Sequence, residues 1–492
     1  MRGPSQDRRL VVMRRRSLLT LAVLTGAAAA CAPTGSTEMR RPRAENRLRI
    51  PPLRDPRPGA DGVRRFPLTL RTGHTEFLTG KPAETWGING SYLGPTLRMR
   101  RGDLVAMDVR NQLPQPSTLH WHGMRLPARM DGGPHQTIAT GGTWSPQWRV
   151  DQPAATLWYH PHPHGETADH VWRGLAGMII IADDAGLPAR YGHDDIPLVI
   201  QDRVIGDDGE MEHDKRPTFG LMGDDILVNG TLGAQLEVYT TLVRFRLLNG
   251  SNARVYHLGF ADGREFHVVA GDAGLLTAPA ATARITLSPG ERAEIVVAFA
   301  PGEPAVLRGF AGDDDVDDGN HQILRISAAA DLSRSPALPD RLPGAGPVAV
   351  PAGARVRRFK LSGHDEINDR EMDMNRVDEV VPAGAREIWE VRNAVYAHNF
   401  HIHGVDFTVL DVDGTPPPAW QAGRKDTVYL PPKKTARLAV EFDRHTDAAT
   451  PYMYHCHILR HEDDGMMGQF TVVPPGTESW APRTVSHAGH HR

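Results

Sequence analysis

Near its C-terminus the chain reads His455-Cys456-His457-Ile458-Leu459-Arg460-His461, with Met466 five residues further on. A cysteine thiolate, imidazoles and a thioether make up the donor set of a blue-copper centre. Two more imidazoles in the same run must point elsewhere. On an extended strand successive side chains take opposite faces, so Cys456 faces one way and His455 and His457 the other. One short segment can thus serve two metal sites. A metal on Cys456 would have an adjacent covalent route to metals held by its neighbours.

Three further segments repeat the pattern. They are His120-Trp121-His122 with Gly123 following, His160-Pro161-His162, and His401-Ile402-His403 with His398 three residues before. Each puts two imidazoles on one face of a strand. A single such pair carries little weight, because exposed histidine pairs occur by chance. Four of them, one enclosing the one cysteine outside the leader, point to metal binding.

Together the four segments resemble the signature of the multicopper oxidases, the family of laccases, bilirubin oxidases and bacterial cuprous oxidases. The resemblance covers nearly all of the chain after about residue 60. It implies an all-β fold of three cupredoxin-like Greek-key barrels and four copper ions, one type 1, one type 2 and two type 3. Carried over by position, His398, Cys456, His461 and Met466 resemble the type 1 ligands, with Met466 preferred to the adjacent Met467 on spacing from His461. His120 and His401 resemble the type 2 ligands. His122, His160, His162, His403, His455 and His457 resemble the ligands of the type 3 pair. No ligand position is missing, which argues against the copper-free relatives of this fold. The eight imidazoles come half from the first domain and half from the third, so neither alone would hold the cluster.

The rest of the chain sets the frame. At 492 residues, about three domains are expected. A formal net charge of -3 gives no general pull toward nucleic acid. Gly 49 and Pro 40 indicate many turns, which suits short strands. At the start, Arg14-Arg15-Arg16 precede a short apolar run ending in Ala27-Ala28-Ala29-Ala30-Cys31. That run is too short for a membrane span of roughly 20 residues. It resembles a twin-arginine export signal, a bacterial route for folded proteins, leading to the cell envelope or secretion. Cys31 resembles a lipobox cysteine, and ordinary cleavage nearby to a soluble product stays open beside a lipid anchor. There are only two cysteines, Cys31 and Cys456. If Cys31 belongs to the leader, no intramolecular disulfide is available, and metal ligation is the better account of Cys456. A monomer is favoured.

The expected organisation is an export signal over 1–31, a flexible Arg/Pro-rich tether over 32–60, a first domain over 61–188 and a second over 189–335. The linker and third domain span 336–475, and a tail 476–492. Residues 103–110, 177–182, 243–248 and 293–299 read as strands. The middle domain carries none of the copper motifs, and in the resembling family it is a spacer. A Pro/Ala/Gly stretch over about 328–354 reads as linker.

Four electrons are needed to reduce dioxygen to water. A one-electron donor supplies them singly, and four coppers can store them. Protons must accompany them. Asp131, in Met130-Asp131-Gly132-Gly133-Pro134, and Glu462, directly after His461, resemble the proton-relay acids of the family. Asp131 also reads as a simple turn former before two glycines. His164 reads as a turn residue or one supporting the ligands from behind, not as a ligand. The His-rich tail, His487, His490 and His491, reads as a disordered end, and residues 313–318 as a solvated acidic loop.

The electron donor is read from the covering of the type 1 site. Cuprous oxidases of the family carry a methionine-rich insert there. Here the matching stretch, about 361–397, is short and holds only Met372 and Met374, expected to share one face of a strand. The positions just before His398 lack the acid and methionine of the cuprous oxidases. A short cover predicts an open type 1 edge and a laccase-like oxidase of phenols or aromatic amines. The alternatives are cuprous or other metal-ion oxidation in copper tolerance, and a non-enzymatic copper-binding or structural envelope protein. A copper nitrite reductase, with two domains and no eight-histidine cluster, fits less well.

Overall fold

A computed structural model describes residues 39–40, 42–182, 184–212 and 219–485. The expected export signal, Cys31 and the histidines of the tail lie outside the described residues.

Strand formation follows hydrophobic patterning. Val356–Ser362 and Arg386–Asn393 alternate buried and exposed positions, as strands with one covered face do. Arg292–Ala298 and Gly177–Ile181 are buried almost throughout, as strands between two covers are. The strands expected from sequence appear within a residue or so as Leu104–Asn111, Gly177–Ile181, Leu242–Asn249 and Arg292–Ala298.

The strands form six sheets that pair along the chain. In each pair an early strand lies parallel to a later one, which requires a crossover. Arg64–Leu78 pairs with Leu104–Asn111, Asp195–Ile205 with Leu242–Asn249, and Val356–Ser362 with Arg386–Asn393. Each pair encloses its own apolar core, centred for example on Trp121, Phe245 and Trp389. The molecule is therefore all-β, three cupredoxin-like Greek-key barrels. Among the described residues α-helix is confined to Thr167–Trp172 and Leu459–Asp464.

Three expectations are corrected. The Arg/Pro-rich stretch before residue 60 is not a free tether over its described part. Asn46–Arg47 adds in parallel to Ala234–Thr240, Leu53–Arg54 adds to Thr96–Met99, and Leu48 is buried in the middle core. Its apolar residues and free backbone groups found open sheet edges. The strand His321–Ser333 continues into the stretch read as linker. Met372 and Met374 lie in a loop, both half-buried, because no partner strand runs beside them. Val485 packs against Val377 and Val473, and the His-rich end read as disordered lies outside the described residues.

Candidate metal centres

Strand pairing brings the histidines together. His120 stands directly opposite His160 between antiparallel strands of the first unit, and His401 opposite His455 in the third. Directly opposed residues share a face. His398 and His401 lie an odd number of positions apart on His398–Ile402, so they take opposite faces. The strand that carries His455 ends there. Cys456 and His457 follow beyond it, yet the alternation of direction persists.

On one side lies a compact sulfur–nitrogen group. Cys456 Sγ is 3.6 Å from both His398 Nδ1 and His461 Nδ1, which are 3.1 Å apart. All three residues are fully buried. Met466 is buried in the same apolar cluster as Cys456, whereas Met467 is not part of that cluster. Burial pushes the Cys456 thiol up to about 12. At neutral pH it therefore keeps its proton unless a cation displaces it. Burial also holds His398 down to about 4, leaving its imidazole neutral.

On the other side the eight remaining histidines fill one buried chamber between the first and third units. Three all-histidine donor groups form there, the first two sharing His122: His120, His122 and His401; His122, His160 and His457; His162, His403 and His455. The outward hydrogen bonds assign the tautomers. His120 Nδ1 donates to the Asp131 carbonyl at 2.9 Å, His160 Nδ1 to the Pro161 carbonyl at 2.8 Å, and His401 Nδ1 to the Asp426 carbonyl at 2.8 Å. His455 Nδ1 donates to the Cys456 carbonyl at 3.0 Å. Each of these rings is left with its Nε2 lone pair for the chamber. His120, His160 and His401 Nε2 have no hydrogen-bond partner there. His403 Nε2 and His162 Nε2 both approach His455 Nε2, at 3.1 and 3.2 Å.

Converging lone pairs with nothing to accept are costly unless a cation sits among them. Burial holds His122, His160, His162, His401 and His455 well below the usual imidazole range, and His403 to about 4. The rings are thus neutral ligands at pH 7. Neutral imidazoles at this density, and a thiol beside two more, fit copper.

Both candidate acids reach the chamber. Asp131 Oδ2 accepts from His403 Nδ1 at 2.7 Å, and Asp131 Oδ1 lies 3.5 Å from His120 Nδ1. Burial alone would raise its carboxyl, but the two imidazoles outweigh that and hold it well below the carboxylate range. The turn reading is also correct. Gly132 has φ +79°, and a Cβ there would meet the Leu119 carbonyl oxygen at 1.8 Å. The glycine lets the Asp131 turn press against the strand that carries His120. Glu462 is 3.2 Å from His162 Nδ1 and 3.3 Å from His455 Nδ1, contacts that are close without aligned hydrogen bonds. Burial pushes its carboxyl well above the usual range, so it holds a proton.

The other sequence candidates stay apart. His164 is exposed in a turn and belongs to none of the donor groups. In the acidic loop Asp314 accepts from Tyr429, Asp317 meets His257 and Asp318 meets Arg254, while Asp313 and Asp315 are exposed. The expected open type 1 edge is corrected, since His461 is fully buried. The Tyr396 and His364 rings cover it at centroid distances of 5.8 and 6.4 Å, and Met372 N bonds to the Gly465 carbonyl at 2.9 Å. His364 is half-exposed, with Asp464 and Asp365 carboxylates 3.8 and 3.9 Å from its Nε2.

Sequence reading missed Asn399 and Asp426. Asn399 Oδ1 accepts from the His457 backbone N–H at 2.6 Å and from Cys456 Sγ at 3.5 Å, linking the two sides. Its position between His398 and His401 was the available signal. Asp426 sits beneath His122 and His401, and a carboxylate entering an apolar strand was its only mark.

Family models described as multicopper oxidase match residues 69–186 and 347–476. The chain is 34% identical over 440 residues to the multicopper oxidase mco of Staphylococcus epidermidis, covering 88% of this chain and 93% of that one. It is 38% identical over 446 residues to the cell division protein FtsP of Yersinia pestis, covering 87% and 93%. Among solved structures, the laccase-like multi-copper oxidase CueO from Ochrobactrum sp. superposes with a TM-score of 0.79 at 38% identity, covering 87% of this chain and 100% of that one.

Proposed function

The chain belongs to the multicopper oxidase family, and on that premise we propose that it couples one-electron oxidation of phenols or aromatic amines to four-electron reduction of dioxygen to water. The enzyme is an oxidoreductase with oxygen as acceptor and laccase-like structural neighbours. In this reading His398, Cys456, His461 and Met466 would hold a type 1 copper. His120 and His401 hold a type 2 copper. His122, His160 and His457 hold one type 3 ion, and His162, His403 and His455 the other. Bound copper supplies reversible one-electron storage at each position.

One observation carries the proposal. Cys456 belongs to the sulfur–nitrogen group, while its chain neighbours His455 and His457 belong to two different groups of the chamber. Electron entry and oxygen reduction are thereby joined through adjacent peptide units.

The remaining tasks fall to other side chains. Asp131 Oδ2, bonded to His403 and close to His120, passes protons to the chamber. Glu462, between His162 and His455, holds the proton for the opposite side. The donor docks over the half-buried Tyr396 and the half-exposed His364, with Asp365 and Asp464 beside them to accept from a phenolic hydroxyl or an amine. Covered ligands do not stop the electron, because the covering rings lie in near contact with His398 and His461.

A second reading is oxidation of a metal ion at this rim. It is favoured by the His364–Asp464–Asp365 donors and by the half-buried Met372. Oxygen uptake by the copper-loaded protein with Cu(I), phenols and aromatic amines compares the two. Fastest uptake with phenols or amines is the expected result, and no uptake with any donor would sink both readings.

We also propose the unit limits 61–188, 189–335 and 336–475, supported by the three pairs of sheets, and delivery to the cell envelope. No helix among the described residues is long and apolar enough to cross a membrane.

A further inference from the structure

A cavity of about 270 Å³, with none of the proposed copper ligands in its wall, opens beside the stretch that precedes residue 60. That stretch pairs with the middle unit at Asn46–Arg47 and with the first unit at Leu53–Arg54. Residues 49–52 and 54 wall the cavity together with 88–95 of the first unit and 229–230 of the middle unit.

Two Asn-Gly turns fix its shape. Asn89 and Asn229 take left-handed backbone, with φ 60° and 51°, which asparagine tolerates. Asn89 Oδ1 accepts from the Thr69 N–H and Nδ2 donates to the Pro67 carbonyl, both at 2.8 Å. Asn229 Oδ1 accepts from the Val199 N–H at 2.8 Å, and Nδ2 donates to the Pro197 and Arg49 carbonyls at 2.8 and 3.0 Å. The half-buried Tyr92 is held as well. Its hydroxyl donates to Gln201 Oε1 at 3.0 Å, and Phe77 meets its ring edge-on at 5.2 Å. Walls so fixed lose little freedom when a ligand enters.

The chemistry of the wall is one-sided. Arg49 and Arg54 are exposed, and among the described residues neither forms an ion pair. No carboxylate lines the cavity. Asp55, next to Arg54, is held by Arg98 through both oxygens at 2.8 Å. The carbonyls of Arg49, Pro51, Pro52 and Pro95 already accept from Asn229, Tyr191, the Thr96 N–H and Tyr159. Acceptors are therefore spent while cationic donors remain. The proline rings and Tyr92 supply flat apolar faces beside those donors.

We propose that this cavity binds an aromatic carboxylate, its anion toward Arg49 and Arg54 and its ring against the prolines and Tyr92. The volume falls just below the usual ~300–1,000 Å³ of ligand sites, which limits the ligand to a single ring. Such a ligand touches the N-terminal stretch, the first unit and the middle unit at once, and stabilises the folded chain by mass action. Copper plays no part in this.

Benzoate is the probe. Calorimetric titration of the copper-loaded protein should show one saturable site per chain, and the melting temperature should rise with benzoate. Benzyl alcohol lacks the charge, and acetate and inorganic phosphate lack the ring; each should bind at least ~10-fold more weakly. Combined Arg49→Gln and Arg54→Gln substitution spares the bonds of Arg49 N and O to Thr231 and Asn229. It should keep the ligand-free melting temperature and weaken benzoate at least ~10-fold. Arg47→Gln, which removes an exposed arginine outside the cavity, should bind as the parent does. Absence of benzoate binding would overturn the proposal, as would benzyl alcohol, acetate or phosphate binding as tightly as benzoate. A folded double variant with the parent's affinity, or equal weakening by Arg47→Gln, would overturn it too. Every arm reads binding, so failure of the proposed oxidase activity would leave these results standing.

Discussion

Replacing Asp131 by Asn separates a proton relay from a mere prop. The His120 bond goes to the backbone carbonyl of residue 131 at 2.9 Å, which any side chain preserves. The His403 bond goes to Oδ2 at 2.7 Å, and the asparagine oxygen can still accept it. What positioning loses is the charge assistance of one hydrogen bond, about 1 kcal/mol, or roughly fivefold in rate. What proton transfer loses is the whole contribution of a placed acid, ~10²–10⁴-fold, because an amide neither gives nor takes a proton at neutral pH. The two roles therefore differ by more than an order of magnitude. Rapid mixing reads them separately. Bleaching of the blue band by a phenolic donor without oxygen reports electron entry, and return of the band when reduced enzyme meets oxygen reports the chamber. The expected result is unchanged bleaching, unchanged copper content and return slowed by ~10²–10⁴-fold. Return slowed by less than about tenfold would refute the relay and leave Asp131 as a turn former that also orients His403.

Other outcomes follow from the same geometry. Cys456→Ser should abolish the blue absorption while the chamber still binds copper; surviving colour would show that the sulfur ligand lies elsewhere. In copper-free protein, burial holds His398 and His403 down to about 4 against an ordinary 6.5. The unfolded chain then binds protons first as pH falls, so stability present above pH 6.5 is lost toward pH 4, about 3 kcal/mol for each ring. Denaturant titrations at pH 7.5 and 5 should differ, and equal stability at both would contradict the neutral, buried state of these imidazoles. Gly132→Ala places a methyl against the Leu119 carbonyl next to His120, on a left-handed backbone that alone costs about 1–2 kcal/mol. A lower melting temperature and lost chamber copper are expected, and a parent-like protein would contradict that close approach.

The site was legible where chemistry and period coincide. Imidazoles at alternate positions share a face by strand geometry, so His120 with His122 and His455 with His457 could be placed around Cys456 without coordinates. His398 and His401 needed only the parity of their spacing. Contacts between units were not legible. Arg292 and Asp426 are 134 positions apart, and His122 and Asp426 304, and nothing local in the sequence marks either pair. Covering was misjudged for a related reason. A short segment before His398 suggested an open edge, but Tyr396 and His364 close over His461, and the half-buried Phe219 of the middle unit packs on Tyr396. The stretch before residue 60 misled by composition. Its arginines and prolines look like linker, yet Asn46–Arg47, Leu53–Arg54 and Arg57–Pro58 supply edge strands that pair with Ala234–Thr240, Thr96–Met99 and Arg64–Leu78.

The account stands on one segment feeding two metal sites from opposite faces. Copper content and blue absorption, taken on the same dialysed sample after loading, test it most directly. About four copper ions per chain, with one equivalent of the thiolate-to-copper band, is the predicted result. Retention of about one ion or fewer, or several ions without the band, would contradict it.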